Sequence, residues 1–161
     1  MDARELTDLA SKSCSLRSTF RGVYPKDGFN TLLQRHEDIQ GAFIINQSSR
    51  GERGSHWMSA FIDRSPDGRK RCSFFDSLGQ GGPSRVGLRL PRDMEVLYNE
   101  HRVQPERSAS CGVFSLYAIH WNSAGCDFSE IMCVFSPELL NRNEARMMDF
   151  LSNLKNGLYL C

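Results

Sequence analysis

Gln104-Pro-Glu-Arg-Ser-Ala-Ser-Cys111-Gly112-Val-Phe-Ser-Leu-Tyr-Ala-Ile-His-Trp121 runs from a loop of small and polar residues straight into an apolar segment. Phe114, Tyr117, Ala118 and Trp121 recur at the spacing of one helical face, which predicts an amphipathic helix that begins at Cys111. The first N–H groups of a helix have no intrahelical acceptor, and the macrodipole adds partial positive charge there, so a cysteine at that end is biased toward the nucleophilic thiolate. Gly112 leaves room beside it for a second backbone to approach. A cysteine in an apolar helix is also an ordinary packing residue, so chemistry at Cys111 depends on partners elsewhere in the chain.

Working outward, Gly41–Asn46 is a short, almost continuously apolar run and is predicted to be a buried strand. His56-Trp-Met-Ser-Ala-Phe-Ile-Asp63 and Arg71-Cys-Ser-Phe-Phe-Asp76 follow as two strands joined by the turn-rich Arg64-Ser-Pro-Asp-Gly68, an antiparallel hairpin with a histidine at one end and a carboxylate at the other. A loop centred on Pro66 would put His56 opposite Asp76. A two-residue turn at Asp67-Gly68 would put them on opposite faces, because a one-residue slip reverses every side chain. Pro66 suits the loop better than the ladder.

The remaining elements are expected as follows. Residues 3–12 form an opening helix capped by Asp2. Turn residues punctuate 20–29, before a brief helical turn around Leu32 and Leu33. Gln47–Ser55 is a polar loop, and Gln80–Pro91 is a mobile, basic, glycine-rich connection. Arg92–His101 has Met94, Leu97 and Tyr98 at helical spacing, and Arg102–Gln104 forms a short strand. After Gly125 stops the cysteine helix come helices over Phe128–Val134 and from Pro137 to Leu154, the latter with a Met147, Phe150, Leu151, Leu154 stripe and a stop at Gly157.

The chain has 161 residues, 40% hydrophobic and 24% charged, a length suited to one domain over 1–161 with a single core. A formal charge of +1 gives no global attraction to nucleic acid or anionic membrane. Charges in Met1-Asp-Ala-Arg-Glu argue against a signal peptide, and no run reaches membrane-spanning length, so a soluble, intracellular protein is expected. Six cysteines without a C-x-x-C pair suggest neither a zinc site nor a disulfide framework. They should be mostly free thiols, with the last, Cys161, exposed.

Thiol hydrolysis requires a nucleophile, a histidine to pair with it, a group to orient the histidine and donors for the oxyanion. Cys111, His56, Asp76 and Gln104 can fill these roles in that order, with the Gln104 amide and the Cys111 backbone N–H forming the oxyanion hole. No cofactor or metal is needed. His120, nine residues after Cys111, falls on the opposite side of a helix with about 3.6 residues per turn. His36 and His101 sit in polar, exposed surroundings.

Gly54-Ser-His56-Trp57-Met58, Phe75-Asp76-Ser-Leu-Gly79, and Val103-Gln104 followed by Ser108-Ala-Ser-Cys111-Gly112-Val-Phe together resemble the adenovirus-type cysteine endopeptidase, adenain, and more broadly the clan containing the SUMO-deconjugating proteases. The order His, Asp or Glu, Gln, Cys is shared, and the Gln-to-Cys spacing is similar to adenain's. Weaker likeness extends to Phe20-Arg-Gly22-Val-Tyr24 and Arg142–Leu151.

The resemblance implies an α+β, papain-like protease core, with a small mixed sheet packed on a central cysteine-bearing helix and flanking helices. It implies an endopeptidase that cleaves viral precursor polypeptides after small residues such as glycine during virion maturation, in the host nucleus and virion; a monomer is expected. Trp57 resembles the aromatic that narrows the clan's substrate channel. Asp76 replaces adenain's usual Glu, and the chain is shorter than adenain. Adenain is activated by a viral peptide, disulfide-linked to a cysteine between the acid and the Gln; residues 77–103 contain no cysteine, which leaves only a non-covalent form. Adenain-like enzymes also use DNA as a cofactor, for which Arg64, Arg69, Lys70, Arg71, Arg85, Arg89 and Arg92 are the candidate phosphate contacts. The alternatives are a protease that removes ubiquitin-like modifiers and a non-catalytic interaction protein in which Cys111 is structural.

Overall fold

The computed structural model describes residues 1–52 and 56–159. Its centre is a five-stranded mixed sheet in sequential order, β1 (Phe20–Pro25), β2 (Gly41–Asn46), β3 (Trp57–Arg64), β4 (Lys70–Phe75) and β5 (Glu95–Tyr98). The outer pairs β1/β2 and β4/β5 are parallel, and the inner pairs are antiparallel. β2 is buried along its whole length, as expected of an apolar run with no polar face.

Opposite faces of the sheet carry separate cores. On one side α3 (Cys111–Ser123) packs across β2 and β3, flanked by α1 (Ala3–Ser11), α4 (Phe128–Cys133) and α5 (Leu140–Lys155). Ala42, Ile44 and Phe75 meet Leu6, Phe114, Leu116, Met147 and Phe150 there. On the other side Phe43, Ile45, Met58, Ile62 and Phe74 meet Phe29 and Leu33 of α2 (Lys26–Arg35), together with Val86, Leu88 and Met94. The expected α+β layering is therefore present, with the cysteine-bearing helix at its centre.

Several elements differ from expectation. α3 is buried nearly all round, with Tyr117 and Trp121 of the predicted inward face only partly covered, because the sheet and three helices enclose it. The turn-rich segment after residue 20 contains strand β1, and the brief turn at Leu32 extends into a ten-residue helix. Residues 95–98 form an edge strand instead of a helix: the free edge of β4 supplies hydrogen bonds, which outweigh apolar spacing over so short a stretch. Residues 102–104 form no strand, although the Val103 and Gln104 N–H groups both donate to the Ser77 carbonyl. The 80–91 connection is anchored by a 3-10 turn, Pro83–Val86, whose Val86 and the following Leu88 enter the second core. α5 begins at Leu140, because the Asn143 side chain bonds both the N–H and the carbonyl of Ser136 and holds the Pro137 segment in a turn.

The helix at 3–11 has the expected Asp2 cap, closed reciprocally by Glu5. Cys72, Cys111, Cys126 and Cys133 are free thiols, whereas Cys14 is disulfide-bonded, contrary to expectation at that position. Cys161 and the end of the 47–55 loop lie outside the described residues.

Candidate active site

The hairpin takes neither of the anticipated registers. β3 and β4 pair from Arg64↔Lys70 to Ser59↔Phe75 around a five-residue loop, Ser65–Arg69, centred on Asp67. His56 and Asp76 are thus two places from direct opposition. An even offset preserves the face, and both residues lie just past the last rung, free to turn toward each other. His56 Nε2 lies 2.6 Å from Asp76 Oδ1, with the histidine 5% and the aspartate 0% exposed.

A buried carboxylate requires every lone pair engaged. Asp76 Oδ1 also accepts from the Leu78 N–H at 2.9 Å, and Oδ2 accepts from the Gln80 N–H at 3.1 Å. Asn99 clamps the Asp76 backbone: its Oδ1 accepts from the Asp76 N–H at 3.0 Å, and its Nδ2 donates to the Asp76 carbonyl at 2.7 Å. Gly79, at φ +62°, lets this turn lie against residues 101–102, where a Cβ would come within 2.4 Å of the His101 backbone. Asn99 was invisible in a segment expected to be helical.

Cys111 occupies the first position of α3, half-buried beside His56. Burial alone would push its thiol up. The hydrogen bond from His56, the Trp57 N–H, the imidazolium charge and the Gly112 N–H more than offset this and hold Cys111 below the ordinary thiol value. Burial would likewise lower His56, but hydrogen bonds to Asp76 and Cys111 and their charges raise it to about 9. Asp76, pushed up by burial, is held below the usual carboxylate range chiefly by His56. Each shift favours a thiolate–imidazolium pair backed by a carboxylate.

Gln104 is 2% exposed, and its amide is fixed at both ends. Ser77 Oγ donates to its Oε1 at 2.6 Å, and its Nε2 donates to the Ser108 carbonyl at 2.8 Å, which leaves one N–H uncommitted. Ser77 was readable only as the residue after the acid.

Trp57 is partly buried, and its Nε1 donates to the Met1 carbonyl at 3.1 Å. A cleft of about 420 Å³ lined by Tyr24, Asn46 and Arg50 among others leads up to it. The space beside Gly112 is not open: a Cβ there would come within 3.1 Å of Leu6, 3.2 Å of Met1 Sδ and 3.4 Å of Trp57. Its smallness serves close packing of the helix start, in place of the expected approach of a substrate backbone.

The other histidines stand apart. His120 is buried and bonded through Nδ1 to Ser13 Oγ, while His36 and His101 are exposed. Among the described residues no cluster of His, Cys, Asp or Glu could hold a metal ion, and no helix is long and apolar enough to cross a membrane.

The five-stranded sheet, the helix that starts at Cys111 and the His56–Asp76 pair beside it form an adenain-like arrangement, similar to that of papain-like cysteine proteases. In sequence it is similar to the protease of fowl adenovirus A serotype 1, 32% identical over 126 residues, which covers 69% of this chain and 58% of that one. It is also similar to the protease of avian adenovirus 8, 29% identical over 163 residues, covering 82% and 77%. The chain thus spans less than two thirds of the first relative. In fold it is similar to AvrA delL154, solved with IP6 and CoA, at a TM-score of 0.53 and 19% identity, over 83% of this chain and 56% of that one. No family model matches the chain.

Proposed function

We propose that this chain is a viral cysteine endopeptidase that cleaves precursor polypeptides at glycine-containing sites during virion maturation. The observation that carries this reading is the buried 2.6 Å His56–Asp76 bond beside a cysteine at a helix start, with His56 raised and Cys111 lowered. The likeness to adenovirus proteases supports the viral assignment.

In this mechanism the Cys111 thiolate attacks the scissile carbonyl carbon. The resulting oxyanion accepts from the Cys111 backbone N–H and the uncommitted Gln104 N–H. The His56 imidazolium gives its proton to the departing amine, and a thioester to Cys111 remains. Water then attacks the thioester, His56 takes the water's proton, and the second tetrahedral intermediate expels the thiolate. His56 Nε2 engages Asp76, so Nδ1 is the nitrogen that exchanges protons at the reacting centre. Trp57 beside His56 supports the glycine preference, since an indole wall over the channel excludes larger side chains.

DNA and a non-covalent peptide remain proposed activators. Arg64 and Lys70 pair with Asp38, Arg69 with Asp67 and Arg71 with Asp63, so phosphate contact would fall chiefly to Arg85, Arg89 and Arg92.

The test is cleavage of a fluorogenic peptide with glycine before the scissile bond, by wild type, Cys111→Ala and His56→Ala, with and without DNA. Cleavage abolished in both variants is expected. Equal cleavage by wild type and Cys111→Ala refutes the reading.

A further inference from the structure

The loop from Gln104 to Cys111 supplies both proposed oxyanion donors and is bonded within itself, from Gln104 Nε2 to the Ser108 carbonyl, from the Ser108 N–H to the Pro105 carbonyl and between the Ser108 and Ser110 hydroxyls. The start of α5 ties both ends of this loop to the body of the protein. Asn143 Nδ2 donates to the Val103 carbonyl at 2.9 Å, just before Gln104. At the other end the Ser108 and Ser110 hydroxyls converge on a single oxygen, Glu144 Oε1, the Ser110 bond being 2.9 Å. The Ser110 N–H in turn donates to Ser108 Oγ at 3.1 Å.

Ser110 is the N-cap residue of α3, but its side chain makes no capping bond to the helix. A serine at this position ordinarily bonds an N–H of the first turn, so turning its hydroxyl to Glu144 forgoes a stabilising cap. The first N–H groups of α3 therefore stay free of a side-chain cap, next to the reacting sulfur. Ser108 is the residue whose carbonyl holds Gln104 Nε2. One carboxylate thus grips the residue that orients the Gln104 amide and the residue that precedes the Cys111 N–H.

We infer that Glu144 is a positioning residue of the oxyanion hole, holding its side-chain donor and its backbone donor at one separation through Ser108 and Ser110. The inference rests on the protease reading above. The hydrogen bonds of Glu144 run to Ser108 and Ser110 and not to His56 or Cys111, so its removal should weaken stabilisation of the tetrahedral intermediate and leave the His56–Cys111 pair intact.

Two assays on the whole chain separate these effects. Peptide cleavage, with the glycine peptide above, needs the oxyanion hole. Alkylation of Cys111 by iodoacetamide needs only the thiolate. For Glu144→Ala and Ser108→Ala we expect kcat to fall about 10- to 100-fold with KM nearly unchanged, less than the 10²–10³-fold loss expected of Gln104→Ala, which deletes a donor outright. The alkylation rate and its pH midpoint should match wild type, which also shows that the site has folded. Glu144→Gln keeps an acceptor oxygen for both hydroxyls and should recover kcat to within about threefold. Unchanged kcat in Glu144→Ala, or a kcat loss matched by slower alkylation, overturns the positioning role while Gln104→Ala remains impaired. A Gln104→Ala variant as active as wild type, or a wild type that alkylates at Cys111 but cleaves no peptide, instead removes the reading beneath it.

Discussion

Two buried histidines lie at opposite ends of one helix and are driven in opposite directions. His56, at the N-terminal end of α3, is raised to about 9, whereas His120, in its last turn, is pushed down to about 4 by burial. A helix C-terminus favours a cation, so the macrodipole alone would order them the other way. Their neighbours decide the outcome. His120 is packed edge-on to Trp121, Phe150 and Tyr159 with a serine hydroxyl as its hydrogen-bond partner, which engages a neutral ring and offers no charge. His56 has a fully buried aspartate and a cysteine. Equal burial therefore yields a structural base in one place and a standing cation in the other.

The strongest way to break the comparison is to remove the cation. His56→Ala should lower peptide cleavage by at least about 10⁴-fold, as loss of one member of a coupled catalytic set does, and should move Cys111 alkylation to higher pH, since burial then acts on the thiol unopposed. Alkylation at the wild-type pH midpoint would refute the ion pair. Asp76→Asn removes the charge and keeps the shape. A loss of about 10²–10⁴-fold in kcat is expected by analogy with an orienting carboxylate, with the His56 titration, followed by NMR, falling from about 9 toward the ordinary histidine value.

The pH profile sharpens the contrast. Activity needs Cys111 deprotonated and His56 protonated, so it should rise below the usual thiol range and decline as pH passes about 9. Stability should show both histidines with opposite signs. His56, raised on folding, stabilises fully below its unfolded value and loses that contribution as pH rises through about 9. His120, depressed on folding, takes up a proton more readily when unfolded, so stability falls as pH drops from about 6.5 toward 4, by on the order of 3 kcal/mol when complete. His120→Phe should flatten that acid slope in urea titrations and change cleavage less than about twofold. The smallest expected activity loss among variants near the acid is Asn99→Ala, about tenfold, accompanied by about 1–3 kcal/mol of destabilisation from the unpaired Asp76 backbone. Unchanged kcat there would mean that the ladder alone holds the carboxylate.

Much of the site was legible because its members punctuate strong local patterns. Cys111 begins an apolar run, His56 precedes a β-rich run, and Asp76 ends one. The supporting groups carry no such mark. Asn99 lies in a segment whose apolar spacing suited a helix, and it became the Asp76 clamp only because β5 joined the free edge of β4. Gly112 illustrates the reverse case: a glycine beside a nucleophile suggested open space, and the space is filled by Leu6 and Met1 from the far end of the chain.

The amino-acid order by itself determined the strand Gly41–Asn46, the strands read at 56–63 and 71–76 to within a residue at each end, the capped opening helix and the helix that starts at Cys111, because each follows from short-range periodicity and end chemistry. Only the tertiary structure decided the hairpin register, the strand at 95–98, the direction in which each buried histidine shifts and the grip of α5 on the 104–111 loop. These depend on contacts between residues tens of positions apart, where the free energy lies in desolvation and in which partner is close by, and no local pattern encodes either.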